Sequence, residues 1–565
     1  SGGERPPNSR RTCATVHWAS FVSIRRDTVR ASGYDLAEAP ATLVAGASES
    51  TQALEGTAVR TLLVSIDLEY SLTYAYLQAY ANADPRLAGR VSFRVLALDP
   101  HRLGTYVDKN LEVFRLLESI ERESPDLVCF SCYLWNHVPI RELVRIVEAV
   151  RPDLPILVGG PDVITREAAE DFLRAAPADL VVRGEGEVTF ADYLDARLAG
   201  RSLEGIPGLS RRSGAGIVHE PDRPNIRRLD EIPSPVLGGY IDLDQFDRIG
   251  EDGAVERRRY RRFILETYRG CYMKCAYCQW GDGVPSRFPF TLERILAEID
   301  AVVARRVRMV NVIDAMFGFS KRMAKDILRG VVEAKRRHGA GTIFIGYHNQ
   351  DFFDDDLFDL YREAEFYPEI DLQSTNQEVL DLLGRGKWPP SSYERHRQAF
   401  RDHRVVVHDS SDLIVGLPGD SYETFCESID YFLERGIRVN LFHTSVLPAT
   451  GMCDRAEELG IAYSPVPPRF VLRTPTLPVK DVVRARLLGH GTELFQQYPL
   501  TIAQVMLDRD RFPRPSMLCE AFGQWLYDHG RLAYEIGQYN RDYQLLTYQG
   551  FAREFLEDVA GRWPD

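Results

Sequence analysis

Along the first third of the chain, short apolar runs alternate with longer stretches of helical periodicity. Residues 61–66, 90–98, 126–131, 155–160 and 178–184 have the length and apolar character of strands. Residues 76–83, 109–122, 140–150 and 165–175, between them, have the pattern of helices. Near-continuous apolar strands separated by helices predict a doubly wound parallel sheet, because helices cover both of its faces. Such sheets bind ligands at the loops beyond their strand C-termini.

A second series starts at 263–267 and continues with strand-like runs at 309–313, 342–347, 370–374, 405–408, 412–416 and 438–442, mostly with helices between. Parallel strands alternating with helices over this span predict an open, partial (β/α)6 barrel. From about residue 450 the pattern turns mainly helical, punctuated by Pro465-Val466-Pro467-Pro468. The expected architecture is α/β. An irregular extension (1–58) precedes a doubly wound, Rossmann-like domain (59–200) and a Pro-, Gly- and Arg-rich linker with room for a small hairpin (201–260). The partial barrel (261–450) and a mainly helical C-terminal domain (451–565) follow.

Hydrophobic residues are 44% and charged residues 27% of the 565, enough to bury real cores. The net charge of -13 argues against a dedicated nucleic-acid binder. No run approaches the roughly 18 apolar residues of a membrane-spanning helix. Arg10-Arg11 is followed by a short stretch that meets Arg25-Arg26 before any export-type cleavage site. A soluble, cytoplasmic protein without membrane or nucleic-acid partners is expected.

Nine cysteines, an odd number, do not suggest a disulfide framework. Cys13, Cys129, Cys132, Cys426, Cys453 and Cys519 are scattered and read as small buried hydrophobes. Cys271, Cys275 and Cys278 are different. They fall in Arg269-Gly270-Cys271-Tyr272-Met273-Lys274-Cys275-Ala276-Tyr277-Cys278, just after a predicted strand. Three soft thiolates in one tight loop suit three irons of a 4Fe–4S cluster and leave the fourth iron open to a ligand. A zinc site would need a second cysteine pair, and none follows.

This segment resembles the radical S-adenosylmethionine (SAM) superfamily, whose mark is C-x3-C-x-aromatic-C after the first strand of a partial barrel. The resemblance spans roughly residues 260–450 and implies SAM as a cofactor, with Tyr277 near its adenine. It also implies backbone contact to the SAM amino group around Asp314, ribose contacts at Gln373 and Ser374, and an adenine neighbour in Gly416-Leu417. Glu293, in the next helix, offers a hard fourth ligand to iron, although an acid at a helix start is ordinarily solvated.

The upstream sheet is similar to the cobalamin-binding domain of one large branch of that superfamily. The contacts so implied are Asp67, Ser131, Tyr133, Leu134, Trp135, Gly159, Gly160, Gly184, Glu185, Gly186 and Glu187. Glycines at strand ends let a nucleotide tail lie on the backbone, or simply serve as caps. Many such domains carry Asp-x-His-x-x-Gly, with the histidine on cobalt. Here the segment reads Asp67-Leu68-Glu69-Tyr70-Ser71, so cobalamin is expected base-off with no protein imidazole below it; His137 is the nearest candidate.

The implied activity is C-methylation of a small molecule or peptide in antibiotic or other natural-product biosynthesis. Methyl would pass from SAM to cobalamin to a substrate carbon, with an electron donor keeping the cofactors reduced. Tryptophan C2 methylation of the thiopeptide type is the specific expectation, and a nucleophilic indole carbon would permit polar transfer without a substrate radical. A cobalamin-dependent cyclase or ring-rearranging enzyme is the alternative. A non-catalytic cobalamin or redox sensor is the reading of another class, which the open iron disfavours. The substrate site is expected between all three domains, with Tyr463, Phe470, Phe495, Tyr498, Trp525 and Tyr527 as wall or core.

Overall fold

The computed structural model describes residues 59–66, 70–103, 106–214, 216–282, 288–407, 410–496, 512–531, 550–552 and 554–558. Asp67 and Tyr498 lie outside them. Strands β1 (Val59–Ser65), β2 (Val91–Ala97), β3 (Leu127–Ser131), β4 (Ile156–Gly159) and β5 (Leu180–Val182) pair in parallel. Then β6 (Leu209–Ser213) and β7 (Gly216–His219) return antiparallel, giving the order β2-β1-β3-β4-β5-β6-β7. Every residue of β3 is buried. Helices Tyr106–Glu123, His137–Val150 and Arg166–Ala175 cover one face, and Leu72–Ala83 and Gly186–Leu198 the other. The region read as a linker therefore adds two strands to the first sheet, anchored by buried Leu209 and Ser210. A second hairpin, β8 (Arg248–Ile249) with β9 (Val255–Glu256), completes it.

The barrel opens with β10 (Phe263–Leu265). A short antiparallel pair, β11 (Tyr268–Arg269) and β12 (Phe288–Pro289), brackets the cysteine loop. Strands β13 (Met309–Val312), β14 (Ile343–Tyr347) and β15 (Phe366–Glu369) extend β10 in parallel, and β16 (Ser410–Val415) pairs in parallel with β17 (Arg438–His443). Local signals set the intervening helices. Ser320 accepts from Met323 N at 3.2 Å at the start of Lys321–His338, and Gly339, at φ +56°, ends it.

Two expected strands move. The fourth is Phe366–Glu369, not 370–374. Residues 370–374 run on beside β16, but side chains take over part of the ladder. Leu372 N donates to Ser411 Oγ (3.2 Å) and Asp412 N to Asp371 Oδ1 (2.9 Å), while Ile414 N reaches Gln373 O (3.1 Å). Residues 405–407 form no strand. The preceding helix ends through Arg404 at φ 56°, and Val406 stays 56% exposed. His408 lies outside the described residues.

The C-terminal region is not wholly helical, since β18 (Ala462–Tyr463) and β19 (Val471–Arg473) form a hairpin. Helices Val479–Phe495 and Pro515–Asp528 share one core with the barrel: Val482, Leu488, Phe522 and Trp525 join Phe263, Val310 and Phe344. Phe495 and Trp525 are thus core residues, while Tyr527 is exposed. Among the described residues no helix is long and apolar enough to cross a membrane.

Candidate functional site

The cysteine loop leaves β11 and is folded by its own backbone. Cys278 N donates to Cys275 O (2.9 Å) and Met273 N to Cys271 Sγ (3.4 Å). Two close approaches hold it in place. A Cβ on Gly281 would sit 2.2 Å from Met273 O, and one on Gly384, at φ +75°, 2.8 Å from Lys274 O. Burial pushes the Cys278 thiol up to about 11. Such a thiol stays protonated unless a cation compensates it, which is what iron would do. Arg385 already supplies one positive group, its Nη1 lying 3.9 Å from Cys275 Sγ. Three sulfurs in one loop, one of them facing a guanidinium, fit a 4Fe–4S cluster.

Next to this loop is a cavity of about 710 Å³, walled by both sheets. From the first sheet come Ser131, Tyr133, Trp135, Gly159, Gly160, Gly184, Glu185, Gly186 and Glu187; from the barrel come Ile264, Glu266, Arg269, Gln279, Trp280 and Ile313. Leu134 is not on its wall, and Asp67 lies outside the described residues. Three features fit a large ligand with a polar tail. Ser131 Oγ is buried without a hydrogen-bond partner in the structure. Gly160, at φ +106°, brings its backbone so close that a Cβ would lie 2.5 Å from Cys132 O. Tyr133 and Trp135 stack at 4.6 Å, leaving the indole 51% exposed at the rim.

Cobalt ligation by His137 is not supported. Its ring is 2% exposed, its Nδ1 is bonded to Asp162 Oδ2, and it does not line the cavity. Asp162 is held in turn by Arg469 Nη1 at 3.2 Å, from the C-terminal hairpin. Glu293 is exposed in the first turn of helix Leu292–Ala304, the ordinary position of a solvated acid.

Across the cavity runs a buried ion network that sequence reasoning missed. Arg269, two residues before Cys271, reaches Glu185 Oε1 (3.0 Å), Glu187 Oε1 (2.7 Å) and both oxygens of Glu266 (3.3 Å), and lies over the Tyr76 ring. Burial pushes Glu185 and Glu266 above the ordinary carboxylate range, and Arg269 opposes it. Gln279, just after Cys278, was missed too: its Nε2 donates to Pro161 O (3.0 Å) and Pro448 O (2.9 Å). Their only sequence signal is adjacency to the cysteine motif.

The remaining expected SAM neighbours divide. Asp314 has its carboxylate taken, accepting from Thr267 N (2.8 Å), Thr267 Oγ1 and Tyr268 N (3.4 Å); it braces the strand that leads into the cysteine loop. Ser374 Oγ accepts from Asn376 N (3.1 Å). Gln373 keeps Oε1 buried and without a hydrogen-bond partner. Gly416 takes φ +89°, and Leu417 packs with Val379 and Leu383 against Ala276 and Tyr277, behind the cysteine loop.

Two family profiles match the chain: the radical SAM superfamily over residues 265–432 and the B12 binding domain over residues 100–194. A 2-(S-pantetheinyl)-carbapenam-3-carboxylate methyltransferase of Streptantibioticus cattleyicolor is 29% identical over 72% of this chain and 58% of its own length. The cobalamin-dependent radical SAM methyltransferase TokK of Streptomyces tokunonensis is 28% identical over the same shares. The chain thus spans 58% of the length of these curated relatives. Among solved structures, TsrM of Kitasatospora setae with tryptophan and a SAM analogue shares the fold at TM-score 0.55 and 19% identity, covering 74% of this chain and 80% of that one. OxsB, a cobalamin-dependent SAM radical enzyme, does so at TM-score 0.59 and 14% identity, covering 89% and 80%.

Proposed function

We propose that this chain, with a radical SAM segment at 265–432 and a B12-binding segment at 100–194, is a C-methyltransferase acting on a small molecule or peptide in natural-product biosynthesis. The observation that carries this reading is the single cavity of about 710 Å³ shared by the C-terminal edge of the first sheet and the barrel wall beside the cysteine loop. Methyl transfer needs donor, carrier and acceptor in one water-poor space, and a cavity inside either domain alone would not provide it. When bound, SAM supplies the methyl group, cobalamin a carrier for it, and the cluster an electron.

The chain's own residues would then act as follows. Cys271, Cys275 and Cys278 hold the cluster. Ser131, Tyr133, Trp135, the Gly159-Gly160 pair and the Gly184–Glu187 segment hold cobalamin. Tyr277 and Gly416-Leu417 flank the SAM adenine, and Gln373 and Ser374 its ribose. The backbone around Asp314 meets the SAM amino group, while the Asp314 carboxylate orders Thr267 and Tyr268, which lead into the cysteine loop. Asp162 engages the His137 ring, so that this imidazole would not be offered to a bound cobalamin. An exposed electron donor would supply reducing equivalents, and the cytoplasm, where thiols stay reduced, is the compartment this cluster needs. The relative named for a carbapenam carboxylate and the tryptophan bound to TsrM support a natural-product precursor as substrate, with tryptophan C2 as the specific candidate.

The test is product analysis. Anaerobically reconstituted protein is incubated with SAM and a reductant, and S-adenosylhomocysteine and 5′-deoxyadenosine are measured by mass spectrometry. S-adenosylhomocysteine alone means polar methylation, and both products mean radical methylation. 5′-Deoxyadenosine alone would support a cyclase, and neither product a sensor; either result sinks the methyltransferase reading.

A further inference from the structure

Residues 383–388 pass against the cysteine loop and carry a charge that the reading above leaves unused. Ala276 N donates to Leu383 O (3.0 Å), and a Cβ on Gly384 would lie 2.8 Å from Lys274 O. At the other end Trp388 is buried in one apolar cluster with Met273 and Cys275. Its Nε1 donates to Asp351 Oδ1 (2.9 Å), while Asp351 Oδ2 accepts from Tyr272 Oη (2.7 Å) and Lys387 Nζ (2.7 Å). The segment is pinned to the loop on both sides of Arg385, which fixes where that side chain can reach.

Each cysteine sulfur faces a hydrogen-bond donor, and the donors differ in kind. Met273 N donates to Cys271 Sγ (3.4 Å) and the Trp280 backbone N–H to Cys278. Cys275, the most buried of the three, receives a side chain instead, with Arg385 Nη1 at 3.9 Å from its Sγ. The other contacts of Arg385 do not neutralise it. Nη2 donates to a carbonyl, Asp371 O (3.2 Å), and the guanidinium lies over the Trp388 ring at 5.1 Å. Among the described residues it forms no ion pair with a carboxylate. At contact distance its counter-charge is a sulfur, not an acid.

Reduction adds one negative charge to an iron–sulfur cluster, and the potential follows the charge and hydrogen bonding around the sulfurs. A fixed cation at one sulfur favours the reduced form. We propose that Arg385 raises the reduction potential of the cluster through Cys275, and so brings it within reach of a low-potential, one-electron donor. One electron passes from donor to cluster, the donor is oxidised, and no proton or leaving group moves. Arg385 is thus a positioning residue that acts through Cys275. The proposal rests on the cluster reading of the three cysteines.

The test is a potential. Anaerobic holoprotein without SAM is poised against reduced viologens, and the paramagnetic signal of the reduced cluster is followed. Arg385→Gln keeps an N–H donor but no charge. At the parent's midpoint its ratio of reduced to oxidised cluster is expected to fall about ten-fold or more, which is about 59 mV for one electron. Arg385→Lys keeps the charge and should stay within about three-fold of the parent. Iron and sulfide at the parent level show that the loop has assembled. An unmoved midpoint in fully loaded Arg385→Gln would overturn the proposal. So would a fall in Arg385→Lys as large as in Arg385→Gln, which would assign the effect to packing. Should Arg385→Gln hold no cluster, Arg385→Lys decides: a full cluster at the parent's midpoint is expected, and a lost cluster or a ten-fold fall overturns the proposal. A parent protein with no cluster signal at all would instead sink the cluster reading.

Discussion

Arg269→Met is the sharpest perturbation of the surface where the two sheets meet. Arg269 is 9% exposed, and its guanidinium touches Glu185, Glu187 and Glu266 at once. Methionine fills much of the volume and leaves three buried carboxylates facing one another. Removing one partner of a buried ion network costs about 3–5 kcal/mol, or roughly two to nearly four decades in the folding equilibrium at about 1.36 kcal/mol per decade. The loss has a pH signature. Glu185 and Glu266 are already raised by burial, and without Arg269 they hold protons to still higher pH when folded. Unfolded glutamates ionise near a pKa of about 4.3. A raised folded pKa gives stability that is complete below that value and is lost as pH rises through the folded pKa. The variant's deficit should therefore be smaller at about pH 5 than at about pH 8. Urea unfolding of the anaerobic holoprotein, followed by circular dichroism and cobalamin absorbance, reads this directly. With an m-value of about 2 kcal/mol per molar urea, the midpoint falls by roughly 1.5–2.5 M. Adding Glu187→Gln and Glu266→Gln should recover part of it. A parent-like midpoint for Arg269→Met at both pH values would refute the view that this network secures the interface.

Cys271→Ala, Cys275→Ala and Cys278→Ala should each abolish the cluster, because each sulfur is taken to be the protein ligand of one iron; a single variant with full iron, sulfide and activity would contradict the assignment. Paramagnetic resonance of the cob(II)alamin form should show no nitrogen splitting from an axial imidazole, and His137→Ala should leave the spectrum unchanged, because Asp162 holds that ring away from the cavity. Burial pushes Asp314 up to about 7, so its contribution to stability is complete below about pH 4 and declines as pH rises through about 7. Asp314→Asn should flatten that decline and cost about 1 kcal/mol at low pH by weakening the bonds from Thr267, as read by thermal melts across pH.

What the sequence made legible is local. The cysteine spacing lies within one loop, and the apolar runs that became β1, β3 and β4 are signals of a few residues. The elements that escaped it lack such a signal. In β6 only the first residues are buried and the rest is polar, so no apolar run marks it as a strand. The fourth barrel strand moved because residues 370–374 are apolar enough to be one, yet Ser411 and Asp371 side chains satisfy its neighbours in place of a ladder. At Asp314 the sequence pointed to a backbone contact; only the fold reveals that its carboxylate accepts from Thr267. The junction itself was least visible, because it is built from pairs far apart in the chain: Arg269 with Glu185 and Glu187, Gln279 with Pro161 and Pro448, Arg469 with Asp162. All three ties anchor the segments that follow β4 and β5, the glycine-bearing wall of the cavity. A substitution at Arg269, Gln279 or Arg469 that loosened its tie would shift that wall relative to the cysteine loop without removing a proposed cofactor ligand. The spacing of the proposed cofactor sites therefore depends on Gln279 and Arg469, which neither motif contains, and variants at these two should impair transfer between the sites before they impair occupancy of either.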